Sequence, residues 1–134
     1  MTQNPLVHPI TMDRTRIMLL PQHLGIRHLA VDPSYWSTMS KRPELANGRV
    51  LSVFDYHENW TWWERHPLGD ELAYLIAGEI ELLLETGEDK WSVTLAPGSA
   101  AIVPRGAWHS ARVSKPTQVL FVTPTPAKTQ HRDI

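Results

Sequence analysis

Between residues 49 and 123 the chain is cut by turn signals into pieces too short for stable helices. The interruptions are Pro67-Leu68-Gly69-Asp70, Ala77-Gly78-Glu79, Thr86-Gly87-Glu88-Asp89, Ala96-Pro97-Gly98 and Pro104-Arg105-Gly106. What lies between them predicts strands at 49–56, 59–66, 71–77, 79–86, 90–95, 99–104, 107–113 and 117–123. Alternation supports this reading, because apolar and polar residues switch at each step of Lys90-Trp91-Ser92-Val93-Thr94-Leu95. Glu81-Leu82-Leu83-Leu84-Glu85 has a helical look, but Gly78 and Gly87 close it in and favour a strand. The expected fold class is all-β, an antiparallel barrel or sandwich.

The flanks read differently. Residues 1–48 contain Pro5, Pro9, Pro21, Pro33 and Pro43, which break any long periodic pattern and suggest an irregular arm covering the barrel. Within it, Asp32-Pro33 resembles a helix start, so a short helix is expected toward Met39 or Ser40. Residues 124–134 are polar and proline-bearing and predict a frayed, flexible tail. With 134 residues the chain has room for one core, hence one domain over 49–123.

Composition narrows the chemistry. The formal net charge is -1 and the basic residues are scattered, so no electrostatic footprint for nucleic acid or an anionic membrane is present. Expected partners are therefore a small molecule or a second copy of the chain. With no cysteine, disulfides, thiolate nucleophiles and Cys-held zinc are all excluded, and any metal must be held by His, Asp or Glu. The opening MTQNPLVHPITMDRTR lacks the apolar stretch of a secretory leader, which makes the cytoplasm the expected location. There is no phosphate-binding glycine loop and no G-x-S-x-G nucleophile turn.

Two segments concentrate titratable residues beside turns, Trp62 to Glu71 and Gly98 to His109. On a strand over 59–66, residues 60, 62, 64 and 66 share a face, so Glu64 and His66 point the same way as Trp60 and Trp62. The turn at 67–70 returns Glu71 toward His66, and His109 on a later strand is the obvious further ligand. Two imidazoles with one or two carboxylates suit Fe, Mn, Zn, Ni or Co. Two carboxylates brought together inside a barrel repel unless a cation or a proton intervenes. Asp70 competes as a ligand, although Gly69 before it marks a turn residue.

Trp60 and Trp62 are expected to wall a substrate pocket. Trp63 and Trp108, of opposite parity, should point outward beneath the arm or into a subunit interface, while Trp36 and Trp91 read as core. His8, His23, His28, His57 and His131 are assigned no role, and Arg105 reads as a solvated turn residue.

The second segment resembles the second conserved motif of the cupin superfamily, G-x5-P-x-G-x2-H-x3-N, at Gly98, Pro104, Gly106 and His109, with Val113 in place of Asn. The first motif, G-x5-H-x-H-x3or4-E-x6-G, is matched at His66, Glu71 and Gly78. Glu58 replaces its leading Gly, and Glu64 replaces its first His. The resemblance implies a double-stranded β-helix (jelly-roll) barrel holding one divalent metal ion, with His66, Glu71 and His109 carried over as ligands. Glu64 is then a fourth, harder ligand, an outer acceptor, or a catalytic base beside the metal. Small cupins imply a homodimer and a dioxygenase, isomerase or lyase acting on a small organic acid, phenol or diketone-like substrate. Two other functions remain open: a non-catalytic ligand-binding or sensor barrel, and a metal-free barrel whose site residues are relics.

Overall fold

Alternating burial along the strands builds the architecture. The computed structural model describes residues 9–35, 41 and 47–134. Its strands are β1 (Thr15–Leu19), β2 (Ile26–Ala30), β3 (Arg49–Tyr56), β4 (Trp62–Arg65), β5 (Glu71–Ala77), β6 (Ile80–Thr86), β7 (Asp89–Leu95), β8 (Ala100–Val103), β9 (Trp108–Val113), β10 (Thr117–Pro124) and β11 (Gln130–Asp133). In β5 the side chains of Glu71, Ala73 and Leu75 are buried while Leu72 and Tyr74 face outward, and β6 and β10 alternate in the same way.

The strands form two antiparallel sheets, a six-stranded one in the order β2-β1-β3-β10-β5-β8 and a five-stranded one in the order β11-β4-β9-β6-β7. This is the all-β, antiparallel arrangement that the strand spacing predicts, in the jelly-roll form that the motif resemblance implies. Leu75, Ile80, Leu82, Val103 and Val119 are fully buried, each stabilising the fold by about 1.5–3 kcal/mol through loss of apolar surface. Trp60 and Phe121 belong to the same core cluster. A smaller cluster of Met18, Leu20, Tyr35 and Val50 ties β1 to β3. Among the described residues no helix is long and apolar enough to cross a membrane.

Three segments differ from the sequence expectation. The N-terminal stretch expected to be irregular contains the β1–β2 hairpin, and β1 pairs with β3 through Ile17↔Leu51 and Met18↔Val50. Pro21 sits in the connection between the two strands, so it interrupts neither of them. The C-terminal stretch expected to fray forms β11, which pairs with β4 from Gln130↔Arg65 to Asp133↔Trp62. Its hold on the barrel comes from cations on aromatic faces, with Arg132 4.6 Å from the ring centre of Trp108 and 5.1 Å from that of Trp63. The four-residue strand β4 is shorter than the expected 59–66, yet the Trp60 amide already bonds to Ala111 O at 3.0 Å.

Of the short helix expected after Asp32, the start is described: Asp32 Oδ1 accepts from the Ser34 amide at 2.8 Å. Its continuation toward Met39 and Ser40 lies outside the described residues, as does Trp36. Trp91 is not core, because β7 is an edge strand and leaves that side chain 41% exposed. Trp63 and Trp108 do point outward, and the guanidinium groups of Arg132 and Arg65 cover them.

Gly78, between β5 and β6, has φ +89, and a Cβ there would stand 2.4 Å from Thr117 Oγ1 and 2.5 Å from the Pro116 carbonyl. Gly98 has nearly the same φ, +88, but open space around it. Gly98→Ala should therefore cost about 1–2 kcal/mol of backbone strain. Gly78→Ala should cost about 2–4 kcal/mol, strain and steric conflict together. Urea denaturation of the two variants measures the difference; equal losses would mean that the Thr117 contact is immaterial.

Candidate metal centre

Four side chains from different parts of the chain converge between the sheets. Glu64 on β4 pairs directly with His109 on β9, so the two project from adjacent strands of the five-stranded sheet. Glu71 is the first residue of β5 and comes from the opposite sheet. His66 follows β4, and its carbonyl accepts the Gly106 amide at 3.0 Å, which binds the turn before His109 to the His66 segment. Their ligand-type atoms all lie within 4.8 Å of one another.

Burial is severe. His109 is 0% exposed, and His66 and Glu71 are each 3% exposed. Glu64, at 21%, is the most open of the four. Glu71 lies at the centre, with Oε1 3.0 Å from His109 Nε2 and Oε2 3.1 Å from His66 Nε2. Glu64 Oε2 stands farther away, 3.7 Å from His109 Nε2 and 3.9 Å from His66 Nε2.

These contacts have hydrogen-bond lengths but poor hydrogen-bond directions. His66 Nε2, His109 Nε2 and Glu71 Oε1 are all buried without a hydrogen-bond partner. Buried polar atoms are normally satisfied, so three orphans at one point call for an explanation. Donor atoms that aim at a common point rather than at one another fit a cation at that point.

Neighbouring groups orient the set. His66 Nδ1 lies 3.1 Å from Thr129 Oγ1, which fixes the ring with Nε2 inward. Thr123 Oγ1 donates to Glu71 Oε2 at 2.7 Å, and Trp62 Nε1 donates to Glu64 Oε1 at 3.0 Å. Burial pushes the Glu71 carboxyl up, but the polar contacts and charges of His109 and His66 outweigh it and bring it to about 2. Burial likewise pushes the His109 imidazole down, and the adjoining Glu71 carboxylate, aided by Glu64, reverses this and raises it. Without a metal, the Glu71 carboxylate thus favours the protonated form of the His109 imidazole.

The centre opens onto a cavity of about 490 Å³. Trp60 and Trp62 line it, stacked at 4.8 Å between ring centres and 12° between planes. Phe54, Tyr56 and Phe121 extend the aromatic wall. The Tyr56 hydroxyl is pushed up by burial and by the charges of Glu64 and Glu71. Sequence reasoning overlooked Tyr56, although the alternation Val50, Ser52, Phe54, Tyr56 along β3 places all four on the cavity side. It also left out Thr123, Thr129 and His131, whose Nε2 lies 3.6 Å from Glu64 Oε1. No motif signals these three.

The competing candidates go elsewhere. Asp70 Oδ1 accepts the Arg105 amide at 2.7 Å and belongs to the turn. Arg105 is exposed and does not line the cavity. Arg65 does not pair with Glu64; its Nε donates to Gln130 Oε1 at 2.8 Å.

Comparison with known proteins agrees with this fold. Residues 50–123, more than half of the chain, match the family model described as a cupin domain. An uncharacterized conserved protein with a double-stranded β-helix domain from Klebsiella pneumoniae is similar at 27% identity and a TM-score of 0.53, covering 66% of this chain and 78% of that one. A cupin-2 domain containing protein from Shewanella frigidimarina is 16% identical with a TM-score of 0.50, covering 57% of this chain and 70% of that one. Streptomyces albus HEPD, solved with 2-hydroxyethylphosphonate and Fe(II) bound, is 17% identical with a TM-score of 0.51, covering 56% of this chain but only 17% of that one. At such identities the last two show the fold alone. None of the curated proteins matches this chain. On the strength of the family match and the shared architecture, the chain belongs to the cupin family.

Proposed function

We propose that this cupin is a metal-dependent enzyme acting on a small organic molecule in the cavity beside Glu64, His66, Glu71 and His109. The observation that carries this reading is a set of three buried donor atoms without a well-directed hydrogen bond, on His66, Glu71 and His109, the first two of which line an aromatic-walled cavity. A barrel that had lost its metal would be expected to set a fixed base such as arginine against these carboxylates. Arg65, the nearest base in sequence, is instead engaged with Gln130 and Trp108.

His66, Glu71 and His109 would hold one divalent ion, and Fe, Mn, Zn, Ni and Co all suit a set of imidazole and carboxylate donors. When bound, such an ion supplies Lewis acidity toward a substrate oxygen, or activates dioxygen as in a dioxygenase. Trp60 and Trp62 orient an apolar or aromatic body and exclude water. Glu64 is farther from the ring nitrogens and more open than Glu71, and serves as the carboxylate that takes or returns a proton at Oε2. The Trp62 indole holds its other oxygen in place.

The chain works as a homodimer in this reading. The outer face of the six-stranded sheet offers Leu72, Tyr74, Ile76 and Ile102, the last 68% exposed, and Leu72 lies between Ile102 and Val122 in register.

Protein purified without chelator should contain stoichiometric metal by atomic emission. His66→Ala, His109→Ala and Glu71→Gln should lose it, whereas Glu64→Gln should retain it. Loss in Glu64→Gln equal to that in His66→Ala would make Glu64 a ligand; metal content unmoved by all four substitutions would end the metal reading.

The pH dependence follows from the two shifted groups. Glu71 is lowered from 4.5 to about 2, so its contribution to stability is present above 4.5 and lost as the pH falls through about 2. His109 is raised, so its contribution is full below its ordinary 6.5 and is lost as the pH rises through the folded value. The urea midpoint of chelator-treated protein should therefore fall as the pH rises above 6.5. The metal-loaded protein should hold its midpoint there, because the cation replaces the His109 proton. Parallel pH profiles with and without metal would contradict this.

Light scattering tests the dimer. Ile102→Glu should halve the mass found for the native protein, and an unchanged mass would exclude this face as the interface.

A further inference from the structure

The cavity lining carries both signs of charge. Glu64, Glu71 and His66 line it, with His109 beside them. Arg16, contributed by β1, also lines the cavity. It shares its parity with Met18, which is 2% exposed, so the alternation of the strand turns its side chain inward.

The environment of Arg16 is incomplete. Its Nη1 is buried and has no hydrogen-bond partner. Tyr35 hydrogen-bonds with the guanidinium, and the guanidinium carbon lies 4.6 Å from the ring centre of Phe54, so a phenol and an aromatic face meet it without neutralising its charge. Among the described residues no carboxylate pairs with it. Among the described residues the acids lining the cavity are Glu64 and Glu71, both occupied beside the histidines. A largely desolvated guanidinium in the wall of a cavity is costly unless an anion completes it.

We propose that Arg16 receives the carboxylate of the substrate, so that the cavity selects a small acid with an aromatic or apolar body. This rests on reading the cavity as the substrate site. A planar guanidinium matches a carboxylate with two parallel N–H donors. The body then lies against Phe54, Phe121 and the stacked indoles of Trp60 and Trp62. The charges of the lining give the acid one orientation: its carboxylate is repelled by Glu64 and Glu71 and drawn to Arg16, and its body is left to face the histidines. Arg16 lies outside residues 50–123, so the element that selects the substrate is the strand added to the barrel rather than the barrel itself.

Quenching of tryptophan fluorescence, with Trp60 and Trp62 as reporters, tests this in chelator-treated and in metal-loaded protein. The probes are benzoate and phenylacetate against benzamide and phenylacetamide. The acids should bind at least tenfold tighter than their amides in both forms of the native protein. Arg16→Met should abolish that preference without lowering the melting temperature, and Arg16→Lys should keep part of it. Equal binding of acid and amide, a preference that survives Arg16→Met, or no binding of either acid at 10 mM would each overturn the proposal. A preference confined to the metal-loaded protein and indifferent to Arg16→Met would place the carboxylate at the cation, so that the proposal fails and the metal reading stands. A preference in chelator-treated protein that Arg16→Met removes, found in a protein that holds no metal, would do the reverse. Should Arg16→Met fold poorly, Arg16→Gln takes its place under the same criteria, because Arg16 is the one arginine or lysine lining the cavity among the described residues.

Discussion

A carboxylate that is 3% exposed and flanked by two imidazoles at 3.0 and 3.1 Å is the constraint around which this barrel is arranged. An unpaired charge at the depth of Glu71 would cost several kcal/mol. The fold meets that cost by bringing His109 from one sheet, His66 from the connection beside it and the Thr123 hydroxyl from β10 onto the same two oxygens. The two sheets therefore do not merely enclose apolar side chains. They are also pinned across the interior by a polar cluster, and the same poor hydrogen-bond directions that make the cluster incomplete by itself make it receptive to a cation.

The C-terminal segment contributes more than its polar sequence suggests. Through β11 it covers the edge of β4, the strand that carries Glu64, and thus removes an open sheet edge beside the site. Thr129 reaches His66, His131 approaches Glu64, and Arg132 lies over Trp63 and Trp108. A strand with no apolar pattern is held by pairing, cation–aromatic contact and the long side chains of arginine rather than by burial in the core.

The N-terminal hairpin plays the corresponding part on the other sheet. By pairing with β3 it extends the sheet whose inner face, from Val50 to Tyr56, lines the cavity. It also brings a guanidinium to a wall that is otherwise aromatic and apolar. The outcome is a cavity lined by carboxylates, imidazoles, a guanidinium and aromatic rings together.

The sequence by itself determined the strands from β3 to β10, because tight turns at Gly78, Gly87, Gly98 and Gly106 leave only strand-length pieces between them. It also marked Glu64, His66, Glu71 and His109 as candidates, since period-two alternation and motif spacing are local properties that survive without coordinates. Only the tertiary structure decided that β1, β2 and β11 exist, that Trp91 is exposed, and that Arg16, Tyr56 and Thr129 share a cavity with the site. The reason is physical: those strands carry weak alternation and are stabilised by neighbours distant in the chain. A pairing such as Arg132 with Trp63, or Thr129 with His66, leaves no periodic trace in the residues that make it.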